Sequence, residues 1–117
     1  MSVQAYPLWS YGSAPQLLAS RDRETTELIF PALPPASPLA ARHDTVPMAG
    51  VGVVYSYTVI HPSPKSGQPP FALGFVDFPG PVRLFGRLQG KDHPAIGDRY
   101  LPRPDEAFGY VFEAIPA

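Results

Sequence analysis

The sequence predicts an all-β fold, and three observations predict it. Proline (17) and glycine (10) make up nearly a quarter of the 117 residues, which breaks helix interiors and central strands and leaves room only for short elements. Hydrophobic residues are 44% of the chain, with Phe 7, Tyr 6 and Trp 1, so there is material for a core and none of the apolar-poor signature of disorder. Runs rich in β-branched and aromatic residues recur between Pro/Gly punctuation in the second half, as a small barrel or sandwich requires.

Two zones meet near Gly50: an N-terminal arm or appendage, residues 1–49, and a barrel-forming segment, residues 50–117. In the first zone Pro31, Pro34, Pro35, Pro38 and Pro47 allow only brief extended pieces, without a sustained period of 2 or 3.6. The second zone opens with a strand, Val53-Val54-Tyr55-Ser56-Tyr57-Thr58-Val59-Ile60. It follows Gly50-Val51-Gly52, which permits a bend or bulge, and stops at His61-Pro62. Residues 62–70 are too proline-rich to pair and form an exposed loop. Phe71 to Phe78 alternates Phe71, Leu73 and Phe75 against smaller or polar neighbours, predicting one buried and one partly open face. After Pro79-Gly80-Pro81, the run Val82 to Leu88 places Val82, Leu84, Gly86 and Leu88 on one face and Arg83, Phe85 and Arg87 on the other. Residues 95–101 read as a turn leading into a short strand, and Tyr110 to Ile115 as the last strand. Five short strands, the first one long and the first three in a meander, fit the partly open five-stranded OB barrel better than a seven-stranded sandwich.

Zero cysteines exclude disulfides, thiolate metal sites and a cysteine nucleophile. Nine Lys+Arg against ten Asp+Glu give a net charge of −1, which attracts no polyanion over long range and disfavours non-specific nucleic-acid binding. Residues 1–20 carry neither the basic start nor the apolar middle of a signal peptide, and no run approaches a membrane span. A cytoplasmic protein without membrane contact is the expectation.

The strand residues carry a family resemblance. Gly52 to His61, Pro69 to Leu73, Val82-Arg83-Leu84 and Ile96-Gly97-Asp98 resemble the thiolase-associated zinc-ribbon/OB-fold family, domain of unknown function 35, over about Gly50 to Ile115. The resemblance implies an association with acyl-CoA and a small ribbon before the barrel, with a C-x-x-C pair, a Phe-Pro after a hairpin strand and a C-P-x-C pair. Here the same frame reads Leu17 to Arg23, Leu28-Ile29-Phe30-Pro31 and Ser37-Pro38-Leu39-Ala40. Ser20, Arg23, Ser37 and Ala40 then stand where four thiolates would be, and they cannot build a tetrahedral zinc site. A degenerate ribbon without zinc follows, held by packing. Trp9, Leu17, Leu18 and Phe30, with Leu28 and Ile29, are expected to dock on the barrel or on a partner chain. A second reading of this stretch stays open: Ser13-Ala14-Pro15-Gln16 has capping-box spacing and permits a short helix from about Ala14.

The chemistry-bearing residues offer no catalytic constellation. His43, His61 and His93 share no short ligand spacing, and surface or loop positions suit them better than a metal site. His61, at a strand end, is also a candidate for a binding face. Ser56 lies inside a strand without a nucleophile elbow, and the carboxylates are scattered, Asp105-Glu106 being neighbours in a loop. Coenzyme A brings phosphates, for which Arg83 and Arg87 on one strand face, Lys65 in the proline-rich loop and Lys91 are the candidate cations; a solvated strand face is the alternative. Tyr55 and Tyr57 are read as sharing a face, either stacking on an adenine or lining an acyl channel, or filling the barrel.

The resulting expectation is a non-catalytic accessory protein that helps a thiolase-like or other acyl-CoA enzyme subunit hold a coenzyme A thioester, with no tightly bound cofactor. Self-association into a homo-oligomer would also cover its apolar arm. A single-stranded nucleic-acid module using stacked aromatics is the alternative of another class. A small independent enzyme using Tyr57 or His61 is the third.

Overall fold

The computed structural model describes residues 8–10, 15–48 and 50–116. They are nearly all β, as expected, with short 3-10 turns at Ala40–Arg42 and Pro64–Ser66. The chain divides into two units: residues 1–49, with which the 79–82 turn groups, and the remainder of 50–117.

In the first unit, β1 (Leu18–Asp22) lies between β2 (Leu28–Ile29) and β3 (His43–Pro47), antiparallel to both. The helix alternative starts on residues 13 and 14, which lie outside the described residues; from Leu18 the chain is strand. A bridge pairs Trp9 with Leu17, and Leu17 also gives its carbonyl to the Met48 amide at 2.7 Å. Leu17 and Ala19 are fully buried. Leu17 is therefore interior and not a contact for a partner, a correction to the sequence reading. Trp9, Leu18 and Phe30 are half-buried. His43 is also corrected: it opens β3, its ring is only 5% exposed, and its Nδ1 lies 2.7 Å from the Leu39 carbonyl oxygen.

The second unit is the five-stranded ring β4 (Gly52–Ile60), β5 (Phe71–Phe78), β6 (Val82–Gln89), β8 (Gly109–Ala114) and β7 (Arg99–Asp105), in that spatial order. Two seams close it and both are short. The β4–β7 pairing runs only through Gly52↔Tyr100 and Val53↔Arg99, and the parallel β6–β8 pairing through Leu88↔Phe112 and Gln89↔Glu113. This meander with one parallel closure is the OB arrangement. Val54, Val76, Phe78, Leu84, Leu88, Tyr100 and Phe112 fill its interior.

β7 runs on through Pro102 and Pro104 to Asp105, beyond the expected end at 101. These prolines face Phe112 and Tyr110 across β8, while β4 leaves the other edge of β7 after Tyr100. Proline is tolerated on such an edge because no ladder bond there needs its missing N–H.

Over residues 71–76 of β5 the smaller residues, not Phe71, Leu73 and Phe75, point inward. Ala72, Gly74, Val76 and Phe78 are buried, whereas Phe71 and Leu73 are half-buried and Phe75 is exposed. The inner layer is already crowded: a Cβ on Gly74 would sit 2.6 Å from the Ser56 carbonyl oxygen and 3.0 Å from Leu88. Beside Gly74 there is no room for a larger inward side chain, and Phe71 and Phe75 lie on the opposite face, while Phe78 at the strand's end is buried.

Tyr55 and Tyr57 do not share a face. A β-bulge shifts the register between Val54↔Val76 and Ser56↔Phe75, so Val54 and Tyr57 both lie opposite the inward residues of β5 and Tyr55 is the extra residue. Period-2 reading fails across a bulge because one residue is added to one strand only.

Candidate functional site

Outward aromatics of β5 and β6 build one side of the barrel. Phe75 and Phe85 meet at 4.9 Å between centroids with their planes tilted by 57°, and both are exposed. Below them lies a groove of about 450 Å³ lined by Phe71 and Leu73 of β5, Phe85, Gly86 and Arg87 of β6, Gln68 of the β4–β5 loop, and Phe108 and Tyr110 around the β7–β8 turn. The second and third strands of an OB barrel and the loops after its first and fourth strands are where such folds take ligands, and this groove occupies that place.

Two anchors hold the walls. Tyr110 donates its hydroxyl to the Phe85 carbonyl at 2.6 Å, and burial pushes its pKa up. Asp105 accepts from the Ala107 and Phe108 amides at 3.0 and 2.9 Å, which folds the turn that presents Phe108, itself 60% exposed. Sequence reasoning missed Phe108 and Gln68, since turn and loop residues have no period, and read Tyr110 only as the start of the last strand. The only local signal was Asp105 three residues before Phe108-Gly109, an Asx-turn spacing.

The two strand arginines have different partners. Arg83 grips Asp77 through Nε at 2.6 Å and Nη2 at 3.1 Å and lies 3.5 Å above the Tyr55 ring. The Asp77 carboxylate raises its pKa, so this charge is internally balanced. Arg87 stands 4.5 Å from the Phe71 ring centre and 5.9 Å from that of Phe108. Among the described residues no carboxylate forms an ion pair with it. Among the described residues its guanidinium is the one full charge lining the groove.

The other expected ligand residues lie elsewhere. His61 and Lys65 are exposed, on the β4–β5 loop, and Tyr57 is 41% exposed on β4; none lines the groove. Lys91 is bound to Asp98 at 2.6 Å, which lowers the Asp98 pKa. That pair borders a separate cavity of about 520 Å³ with Arg99 and Ile115.

In the first unit, Ser20, Ser37 and Ala40 do converge, with Leu33, His43 and Thr45, on a cavity of about 440 Å³, while Arg23 is not among its lining residues. These side chains do not fit zinc. Two neutral hydroxyls and a methyl group supply no anionic ligand, and among the described residues no group of three His, Cys, Asp or Glu could hold a metal. No helix among them is long and apolar enough to cross a membrane.

Residues 45–100 match the family model of the ChsH2 C-terminal OB-fold domain. The benzoylsuccinyl-CoA thiolase subunit BbsA of Thauera aromatica is 30% identical over 80 residues, 68% of this chain and 56% of that protein. The chain thus spans little more than half the length of this curated relative. The solved structure of the Ltp2–ChsH2(DUF35) aldolase is similar with a TM-score of 0.63 and 30% identity, covering 85% of this chain and 84% of that one. With the OB ring, its parallel β6–β8 closure and these likenesses together, the chain belongs to the DUF35/OB-fold family.

Proposed function

We propose that this chain is a non-catalytic accessory subunit that completes the ligand site of a thiolase-like or other acyl-CoA enzyme. Its barrel groove holds part of a coenzyme A thioester; the partner supplies the nucleophile and the acid–base groups. The observation that carries this reading is Arg87, set between Phe71 and Phe108 in an otherwise uncharged aromatic groove on the ligand-binding side of the barrel. The rings offer flat apolar surface to an adenine or an acyl group, and the guanidinium offers a fork to a phosphate or carboxylate.

Among the described residues, the lining of the groove supports a role without proton transfer near neutrality. Its ionisable groups are Arg87 and Tyr110; an arginine stays protonated, and burial raises the Tyr110 pKa. Two relatives support the assignment of a partner, one named as a thiolase subunit and the other as an aldolase complex containing a DUF35 protein. A stacking platform for single-stranded nucleic acid would use similar rings, but it needs a basic groove, and Arg83 is neutralised by Asp77.

Reconstitution tests this reading. The isolated chain should release no coenzyme A from an acyl-CoA, and co-purification with a thiolase-like protein should yield turnover that depends on this chain. Thioester turnover by the isolated chain, or oligo-dT binding that weakens steeply with salt, contradicts it.

A further inference from the structure

We propose that the Asp22 carboxylate, clamped by Arg42 and seconded by the Arg23–Asp44 pair, ties together the two segments that a metal ion joins in a zinc ribbon, so that this unit folds without metal.

The first pair of ligand positions, Ser20 and Arg23, brackets the end of β1, and the second pair, Ser37 and Ala40, lies just before β3. Asp22 falls inside the first pair and is 7% exposed. Its Oδ1 accepts from the Glu24 and Thr25 amides at 2.8 and 3.2 Å, closing the turn after β1. Its Oδ2 accepts from Arg42 Nε at 3.0 Å and lies 2.9 Å from Arg42 Nη2. Arg42 ends the 3-10 turn that starts at Ala40, so one carboxylate spans both segments.

Arg23 makes the reverse connection. It donates from Nε to Asp44 Oδ1 at 3.0 Å, from Nη1 to the Ala41 carbonyl at 2.7 Å, and from its amide to the Arg42 carbonyl at 3.1 Å. Ser20 completes the replacement: its Oγ accepts from the Leu33 amide at 2.8 Å and is 2% exposed as a residue. The Arg23–Asp44 pair is more than half exposed and adds little alone. Asp22, 7% exposed and held by four donor contacts of 2.8 to 3.2 Å, carries the link, because hydrogen bonds to an ionised group are stronger than neutral ones, even though the Arg42 end of the pair is half exposed. A salt-linked ribbon is indifferent to chelators and thiol oxidants, unlike a thiolate–zinc one.

The test uses the full chain, with the barrel amides as internal reference. Elemental analysis should find zinc far below one per chain, and chelator should leave hydrogen exchange of the β1 and β3 amides unchanged. Asp22→Asn, which keeps the size and the Oδ1 acceptor, should speed exchange of those amides about tenfold while the barrel is unaffected. Arg42→Met should do the same, and the double variant should add little more. If Asp22→Asn does not fold, Arg42→Lys provides the milder disturbance and should give an intermediate acceleration. Stoichiometric zinc whose removal speeds ribbon exchange, wild-type protection in both Asp22→Asn and Arg42→Met, or fully additive effects would overturn the proposal.

Discussion

The guanidinium of Arg87 lies 4.5 Å from the centre of the Phe71 ring, on the side where OB barrels in general take ligands, without a carboxylate partner among the described residues. Four residues earlier on the same strand face, Arg83 is held by Asp77 and covered by Tyr55. The same residue type on the same face thus has two surroundings: Arg83 is paired within the sheet, and Arg87, on the reading proposed above, is the one that meets a ligand. Arg87→Met, which keeps the aliphatic stem, should weaken coenzyme A thioester binding by roughly tenfold, the loss of a hydrogen bond to a charged group. Arg83→Met should change it little, and titration calorimetry on the reconstituted complex distinguishes them.

Asp105 positions the Phe108 wall through two amide contacts. Asp105→Ala should cost about 1 kcal/mol of barrel stability in denaturant unfolding and weaken ligand binding further than stability explains. Phe108→Ala should weaken binding with almost no stability change, since its ring is mostly exposed.

Tyr100 is fully buried, and its hydroxyl has no hydrogen-bond partner among the described residues. Tyr100→Phe removes an unsatisfied group and keeps the ring, so stability should stay level or rise by up to about 1–2 kcal/mol. A thermal melt reads this directly; a large loss would reveal a polar partner for the hydroxyl.

Gly74→Ala should destabilise the barrel by about 1–3 kcal/mol, because the added carbon meets the Ser56 carbonyl oxygen at 2.6 Å, a backbone atom that cannot turn away.

The Asp22 pKa falls from 3.8 to about 2, chiefly through its hydrogen bonds from Arg42, with the Glu24 and Thr25 amides assisting and burial opposing. A depressed carboxylate stabilises the folded state fully above its unfolded value and loses that contribution as pH drops through the folded one. The ribbon should therefore loosen between about pH 4 and pH 2. Hydrogen exchange should show the slope in this window flattened in Asp22→Asn.

The strands of the barrel were legible because Val53 to Ile60 and Val82 to Leu88 carry strong β patterns between breakers. Arg87 was legible as a candidate for the same reason. The faces were less so. Hydrophobicity gives period but not direction, and a narrow barrel turned Phe71, Leu73 and Phe75 of β5 outward; the bulge then separated Tyr55 from Tyr57. Arg83 was indistinguishable from Arg87 in sequence, because the position of Asp77 across the hairpin emerges only from pairing. The ribbon link was hidden for a similar reason: Asp22 and Arg42 are twenty residues apart, and packing alone was the expected substitute for metal.

Backbone amide shift mapping of the full chain during titration with acetyl-CoA tests most directly whether the groove takes the thioester, because it detects even millimolar binding and locates it. The expected result is shifts clustered at residues 68–73, 85–87 and 105–110, lost in Arg87→Glu while the remaining spectrum is preserved. Saturable shifts confined to the Lys91–Asp98 cavity, or shifts at the groove that survive Arg87→Glu unchanged, would contradict it.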